Sequence, residues 1–402
     1  MKKTAGQFIN EGEVITLGVA RYANIKKHKG KFVSANNHIL SVKDKSKIIF
    51  DFLYILLEIC GQKLYKQGQQ YPQFDTNIFY SFKIPLPPLE IQKQIVAECE
   101  KIEEQHNTLS LSIKEYQKLI KAMLQKSGII EDNQEYELNS ILENLQKLES
   151  KLDFNLLLSL IEEQISHSEV LVEETQSKER KQDFNAFKNF SKTIQELLQT
   201  LSTPPKDGWK RISLKNEQYM ELNPSKKEIS KLDENMLVSF IEMASVSDKG
   251  YIQSKIDRSL NEVRKGYTYF IENDILIAKI TPCMENGKCA IAKNLTNNIG
   301  FGSTEFHIFR AKTGLDSSFL FYNLNQQNIR EKAALAMTGA SGHKRVPISF
   351  YENLTIPLPP LEIQEKIVQN IELVEQQIDL LNLKLEFLEK EKEKILQKYL
   401  FS

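Results

Sequence analysis

Apolar residues recur in alternating steps of three and four along two stretches of the chain. The first series is Ile95, Cys99, Ile102, His106, Leu109, Ile113, Tyr116, Ile120 and Met123. The second is Ile371, Val374, Ile378, Leu381, Leu385 and Leu388. This is the heptad seam of a coiled coil, and it predicts long helices over 89–127 and 361–400. A helix of about 35 residues is roughly 50 Å long. Each opens at a proline pair, Pro87-Pro88 and Pro359-Pro360. An extended lead-in ends there, where a missing N–H is not needed. Glu90 and Glu362 fall in the first turn, where the helix dipole favours them. His106 is the polar member of the first seam and reads as a register or packing residue rather than a metal ligand. Residues 131–200 also have a helical pattern, without Gly or Pro, up to the linker Ser202-Thr203-Pro204-Pro205-Lys206-Asp207-Gly208.

The proline-rich segments are copies of one another. Residues 84–96 read IPLPPLEIQKQIV and residues 356–368 read IPLPPLEIQEKIV, identical at eleven of thirteen positions at an offset of 272. The chain therefore contains two copies of one unit. Upstream, Phe8–Ile15 resembles Phe270–Leu276 after one gap. Copy two extends back to Gly208-Trp209-Lys210-Arg211-Ile212, whereas only seven residues precede Phe8. On this alignment the first globular unit lacks its opening fifty or so residues.

The segments between the helices read as mixed α/β. Asp274–Lys279 and Phe306–Ala311 have the composition of strands, while Phe319–Asn328 and Phe50–Cys60 read as helices. The class expected is α+β. Two globular units, the first partial, are separated by long coiled-coil helices. The boundaries expected are 1–83 and 207–355 for the units, 84–130 and 356–402 for the helices, and 131–206 for a helical extension and linker.

Charge sharpens this division. The chain of 402 residues has no net charge, with 53 Lys and Arg against 53 Asp and Glu. Residues 1–83 hold 13 basic against 6 acidic residues, and residues 207–355 hold 20 against 17. The remaining, helix-rich parts carry the acidic excess. The basic parts suit a polyanion and the acidic parts a solvated scaffold. No apolar run is long enough to span a bilayer, and the opening segment lacks the apolar core of a secretory signal. Cys60, Cys99, Cys283 and Cys289 are too scattered for a disulfide framework, so a reducing cytoplasm fits.

Catalytic signatures are missing. There is no phosphate loop, dinucleotide fingerprint, nucleophile elbow or zinc helix. Asn223-Pro224-Ser225 only begins like the Asn-Pro-Pro-aromatic motif of adenine methyltransferases. Cys283 and Cys289 read as free thiols, because their spacing is wrong for a zinc knuckle and no second pair exists.

The informative segment is Met337-Thr338-Gly339-Ala340-Ser341-Gly342-His343-Lys344-Arg345-Val346-Pro347. Its glycines allow close backbone approach. Thr338, Ser341 and His343 offer hydrogen bonds, and Lys344 and Arg345 offer charge, a set suited to phosphate or base edges. As a solvated turn it would carry the same composition. The aligned stretch of copy one, Lys66-Gln67-Gly68-Gln69-Gln70-Tyr71-Pro72, is again a polar loop; Lys66 brings charge, and Gln69 and Gln70 can read adenine. Arg21, Lys26, Lys27, Lys29 and Lys31 add a basic cluster to copy one. Arg264 and Lys265 precede the strand at 274 in copy two, and Lys279 and Thr281 follow it.

GWKRISL at 208–214, GSTEF at 302–306, MTGASGHKRVP and both IPLPPLEIQ motifs resemble the specificity subunit of type I restriction-modification systems. The resemblance runs over essentially the whole chain. It implies two target-recognition domains, each reading half of a split double-stranded DNA site. It also implies two antiparallel helices that space those domains and dock modification and restriction subunits. It implies no cofactor in this chain, with S-adenosylmethionine, ATP and magnesium bound by the partner subunits, and no catalysis here. The short first copy departs from the family pattern. A fragment of a fused restriction-methylation enzyme and a coiled-coil scaffold without a DNA role stand as alternatives.

Overall fold

A computed structural model describes residues 10–19, 25–33, 37–66, 73–130, 135–153, 203–340 and 342–400. The helical expectation for 154–200 lies outside the described residues. The chain divides into two compact units. Unit 1 comprises Met1–Glu115, Asn144–Asn189 and Gln377–Ser402; unit 2 comprises Tyr116–Glu143 and Phe190–Gln376.

The chain opens with β1 (Asn10–Gly18), β2 (Ile25–Phe32) and β3 (Asn37–Leu40), an antiparallel sheet in the order β2-β1-β3. Helix α1 (Phe50–Cys60) follows. Its Phe50, Leu53, Tyr54 and Leu57 recur at helical spacing and pack against Ile15 and Leu17 of β1. A short hairpin, β4 (Tyr65–Lys66) and β5 (Gln73–Phe74), leads into α2 (Thr76–Ser81). Asp75 caps α2 by accepting from the N–H groups of Asn77 and Ile78. Next come the long α3 (Leu89–Lys126) and α4 (Leu138–Glu149).

Unit 2 continues with β6 (Arg211–Ser213), β7 (Met220–Leu222), β8 (Leu237–Ile241), β9 (Ile256–Ser259), α5 (Leu260–Val263) and β10 (Thr268–Ile271). Then come β11 (Ile275–Ala278), β12 (Cys289–Ile291), β13 (Ile299–Gly302) and β14 (Phe306–Ala311). Helices α6 (Ser317–Leu324), α7 (Gln327–Leu335) and α8 (Ile348–Glu352), strand β15 (Thr355–Pro357) and helix α9 (Leu361–Leu400) complete the chain. The single helix expected at 319–328 is two. Asn325 leaves the helix and Gln326 is extended at φ −75, ψ 142, so α7 restarts at Gln327. Asn competes with helical backbone bonding through its own side chain, which favours such an exit.

Two four-stranded sheets face one another across the core of unit 2, in the orders β10-β13-β8-β9 and β12-β11-β14-β7. Ile241 and Phe270 of the first meet Leu276, Ala290, Phe306 and Ile308 of the second. The alternate residues Phe240, Tyr269 and Phe301 build a second core with Leu260 and Val263 of α5. Close approach explains the Gly300-Phe301-Gly302 run. A Cβ at Gly300 would meet the Phe270 ring, and one at Gly302 would sit 2.5 Å from the Ile241 carbonyl. Arg310 of β14 donates bidentately to buried Asp274 at 2.9 and 2.8 Å and also reaches Glu228.

Within unit 1, α3 and α9 run antiparallel. Glu98 meets Tyr399 at 2.6 Å and Lys398 at 3.5 Å, while His106 lies 3.7 Å from Glu389. A seven-residue row is buried along α3, with Ile95, Ile102 and Leu109 in unit 1 and Tyr116 and Met123 in unit 2; on α9, Leu381, Leu388 and Ile395 in unit 1 and Val374 in unit 2 are buried at the same spacing. The second row is buried as expected at Cys99, Ile113 and Ile371 and departs from expectation at four positions. His106, Ile120, Ile378 and Leu385 are only half-buried. The residues just before them, Gln105, Leu119, Gln377 and Lys384, are buried instead. A helix of 3.6 residues per turn can turn either of two neighbours inward, and here three of the four inner positions are polar. Lys384 is 1% exposed, and burial pushes its ammonium pKa down to about 7. Gln105 donates to the Lys151 carbonyl and accepts from the Asp153 N–H, tying down the chain after α4.

At the other end of α3, in unit 2, Gly128 takes φ +68 and the Ile129 N–H bonds the Leu124 carbonyl, a Schellman termination. Trp209 then donates to the carbonyl of Ser127 at 2.8 Å.

Both units carry the repeat as structure. The order β2-β1-β3 in unit 1 is the order β12-β11-β14 in unit 2, antiparallel throughout. The hairpin pair Lys66↔Gln73 recurs as Thr338↔Arg345, again offset by 272. The Phe74 N–H bonds the Val19 carbonyl, as the Val346 N–H bonds the Lys279 carbonyl. That match sets Ile15 against Ile275, one residue from the pairing with Leu276 in the sequence alignment. Among the described residues, copy one has no counterpart of the sheet β10-β13-β8-β9.

Candidate nucleic-acid interface

Most of the polar segment at 337–347 forms a hairpin welded to the end of β11. The N–H and C=O of Thr338 pair with those of Arg345 at 3.0 and 2.8 Å. Val346 N–H bonds the Lys279 carbonyl at 2.8 Å, and Thr281 N–H bonds the Lys344 carbonyl at 3.0 Å. The turn needs its glycines, for Gly339 has φ +120 and Gly342 φ +81. Lys279, Thr281, Thr338, His343, Lys344 and Arg345 are thus brought together. Ser341 lies outside the described residues.

Two residues that the sequence reading missed hold this hairpin. Glu305, in the turn before β14, receives Arg345 Nε at 2.9 Å and Nη2 at 2.7 Å. The Arg345 guanidinium holds the Glu305 carboxyl below the usual carboxylate range. His307 on β14 reaches the Val346 carbonyl with Nε2 at 2.8 Å. A carbonyl only accepts, so Nε2 carries the proton, and burial lowers the pKa of His307 and keeps the ring neutral. GSTEF and the hairpin segment were both visible in the sequence, but nothing in either marked them as partners.

His343 and Lys344 are exposed, as are Thr338, Ala340 and Arg345, and among the described residues Lys344 has no carboxylate partner. Thr281 bonds Glu285 at 2.8 Å. Arg264 and Lys265 lie on the other sheet, in the turn between α5 and β10. Arg264 is engaged there by the Ser230 carbonyl at 3.0 Å and by Glu234 at 3.7 Å, while Lys265 is exposed.

In unit 1, Lys27 and Lys29 of β2 both lie 3.3 Å from Asp51 of α1, and Lys29 is also 3.5 Å from Glu13. Lys26 points to the opposite face, as strand alternation requires, and is exposed. Lys66 pairs with Asp75 at 3.0 Å. Arg21, Gln69 and Gln70 lie outside the described residues. Lys27, Lys29, Lys66, Arg264 and Arg345 are therefore ion-paired within their own units, and Lys26, Lys265 and Lys344 are exposed without such a pair among the described residues.

Cys289 is buried, which pushes its thiol up to about 12, and Cys283 is half-buried. Among the described residues no cluster of three His, Cys, Asp or Glu could hold a metal ion. Among them, too, no helix is long and apolar enough to cross a membrane.

The type I restriction modification DNA specificity domain family matches residues 1–118 and 219–390, and the chain belongs to that family. It is 41% identical over 165 residues to the EcoAI type I restriction enzyme specificity subunit of Escherichia coli. It is 38% identical over 165 residues to the EcoEI subunit. Each match covers 40% of this chain and 27% of the relative. Among solved structures it is similar to the type I S subunit from M. genitalium, with TM-score 0.42 and 14% identity over 100% of this chain and 87% of that one. It is also similar to the HsdS subunit of Thermoanaerobacter tengcongensis, with TM-score 0.34 and 17% identity over 98% and 81%.

Proposed function

We propose that the chain reads DNA sequence as the specificity subunit of a type I restriction-modification complex. The observation that carries this reading is the hairpin base, paired twice at an offset of 272 on the same three-strand framework, with different residues in the segment of sequence that joins its arms. A shared framework with differing tips is what two readers of different half-sites require. Residues 1–83 and 207–355 are the two recognition units, and 84–130 and 356–402 form the spacer between them. In this reading Lys344, Lys265 and Lys26 contact phosphate and His343 contacts a base edge.

The chain is non-catalytic in this reading and binds no cofactor. Adenine methylation and ATP-dependent cleavage belong to modification and restriction subunits that carry S-adenosylmethionine, ATP and magnesium. The acidic, coiled-coil helices serve as their docking scaffold, in the cytoplasm. The test is methyl transfer from labelled S-adenosylmethionine to DNA. The chain alone should transfer none, and adding the methyltransferase subunits of its own system should give transfer confined to one sequence. Transfer by the chain alone, or transfer without sequence preference by the complex, overturns the reading.

A further inference from the structure

Resting on that reading, we propose that Arg345 and Lys66 are positioning residues of the two hairpins, and that neither touches DNA. A guanidinium reads guanine through two parallel N–H groups aimed at O6 and N7. In Arg345 the fork of Nε and Nη2 is already filled by the Glu305 carboxylate, at 2.9 and 2.7 Å. Nη1 donates to the His343 carbonyl at 3.0 Å, so three of the five N–H groups are engaged within the unit. One side chain thus ties the outgoing arm of the hairpin to the turn before β14 and fixes the backbone that presents His343 and Lys344. Releasing the fork to a base would leave the Glu305 carboxylate unpaired beside a polyanion, an arrangement that repels DNA.

Copy one arrives at the same arrangement with other residues. Lys66 sits at the position of Thr338, and Gln73 at that of Arg345. The cation is therefore on the opposite arm, and its partner Asp75 is on the same hairpin at 3.0 Å. Asp75 is itself fixed, accepting from the N–H groups of Asn77 and Ile78 at the start of α2. Two ion pairs formed from non-equivalent positions each hold an arm of the hairpin at its base. That recurrence points to a need to pin the base, with contact left to the tip.

The experiment is competition between the duplex the full chain selects, in complex with its methyltransferase subunits, and random-sequence duplex. Because Arg345 and Glu305 act as one clamp, Arg345→Ala and Glu305→Ala should each lower selectivity by a similar factor, about tenfold. The double variant should be no worse than either single one, and Glu305→Gln, which keeps an accepting oxygen, should lie between them and wild type. If Arg345 reads a base, Arg345→Ala relaxes one G·C position while Glu305→Ala leaves selectivity intact or raises it, which overturns the proposal. For Lys66 the readout is salt dependence. An unchanged slope in Lys66→Ala supports positioning, and a slope lower by about one unit marks a phosphate contact and refutes it. Failure of the wild-type complex to prefer any duplex is a different result, overturning the DNA reading itself.

Discussion

Gln92 and Gln364 occupy the same place in the two copies and make the same three hydrogen bonds. Gln364 accepts from the Asp316 N–H at 2.9 Å and donates to the carbonyls of Gly314 and Pro359. Gln92 accepts from the Ile49 N–H at 2.8 Å and donates to the carbonyls of Lys47 and Pro87. Ile49 and Asp316 are the N-cap residues that precede α1 and α6. One amide therefore joins the first turn of a long helix to the start of a domain helix. It also satisfies backbone groups that would otherwise be buried without partners.

Removing that amide should loosen the junction. Gln364→Ala leaves one N–H and two carbonyls unsatisfied, and a loss of about 1–3 kcal/mol per orphaned group is expected. Gln364→Glu keeps the acceptor and loses both donors, so it should also destabilise. Thermal melts check the loss, and hydrogen exchange should show faster exchange at the start of α6. Wild-type melting in both variants contradicts the clamp.

Arg310 is the keystone of the second sheet of unit 2. Asp274 is 1% exposed and is held by Nε and Nη2 of Arg310. Arg310→Met strands that carboxylate, and about 3–5 kcal/mol should be lost. The double variant Arg310→Met, Asp274→Asn should recover part of it. A melting temperature equal to wild type in the single variant contradicts the role.

Lys384 makes unit 1 sensitive to pH. Its pKa falls from the model-compound value of 10.5 to about 7 on burial. Between those values the unfolded chain binds the proton and the folded chain does not. Its contribution to stability therefore rises with pH across that window and is least below about 7. Lys384→Met should raise the melting temperature most near pH 7, and its advantage should shrink toward pH 10. An advantage independent of pH contradicts a neutralised buried lysine.

The regular parts of the fold were legible because each follows from a local pattern. The helix Phe50–Cys60 announces itself by its helical pattern and the strand Phe306–Ala311 by its composition. The two long helices follow from unbroken heptads. The inner row at Gln105, Gln377 and Lys384 was not legible, because a hydrophobic pattern passes over polar residues that packing turns inward. The clamps were equally hidden. Glu305 and Arg345 are 40 positions apart, and no local signal pairs them. Gln92 and Gln364 were in plain view as identical letters, but identity names no partner.

Lys344 provides the electrostatic test of the tip. It is exposed, and its carbonyl is fixed by the Thr281 N–H at 3.0 Å. Lys344→Ala should weaken binding to all DNA sequences alike and lower the salt slope by about one unit. Melting should stay as in wild type, since among the described residues the side chain has no carboxylate partner. Unaltered affinity at every salt concentration removes Lys344 from the interface.

Selection from a pool of random-sequence duplexes by the full chain, together with its methyltransferase subunits, tests the central claim most directly. Two short blocks of fixed bases separated by an unspecified spacer should be enriched. A substitution in the hairpin of one copy should alter only one block. Enrichment of no motif, or of a motif that is indifferent to substitutions at both hairpins, would contradict it.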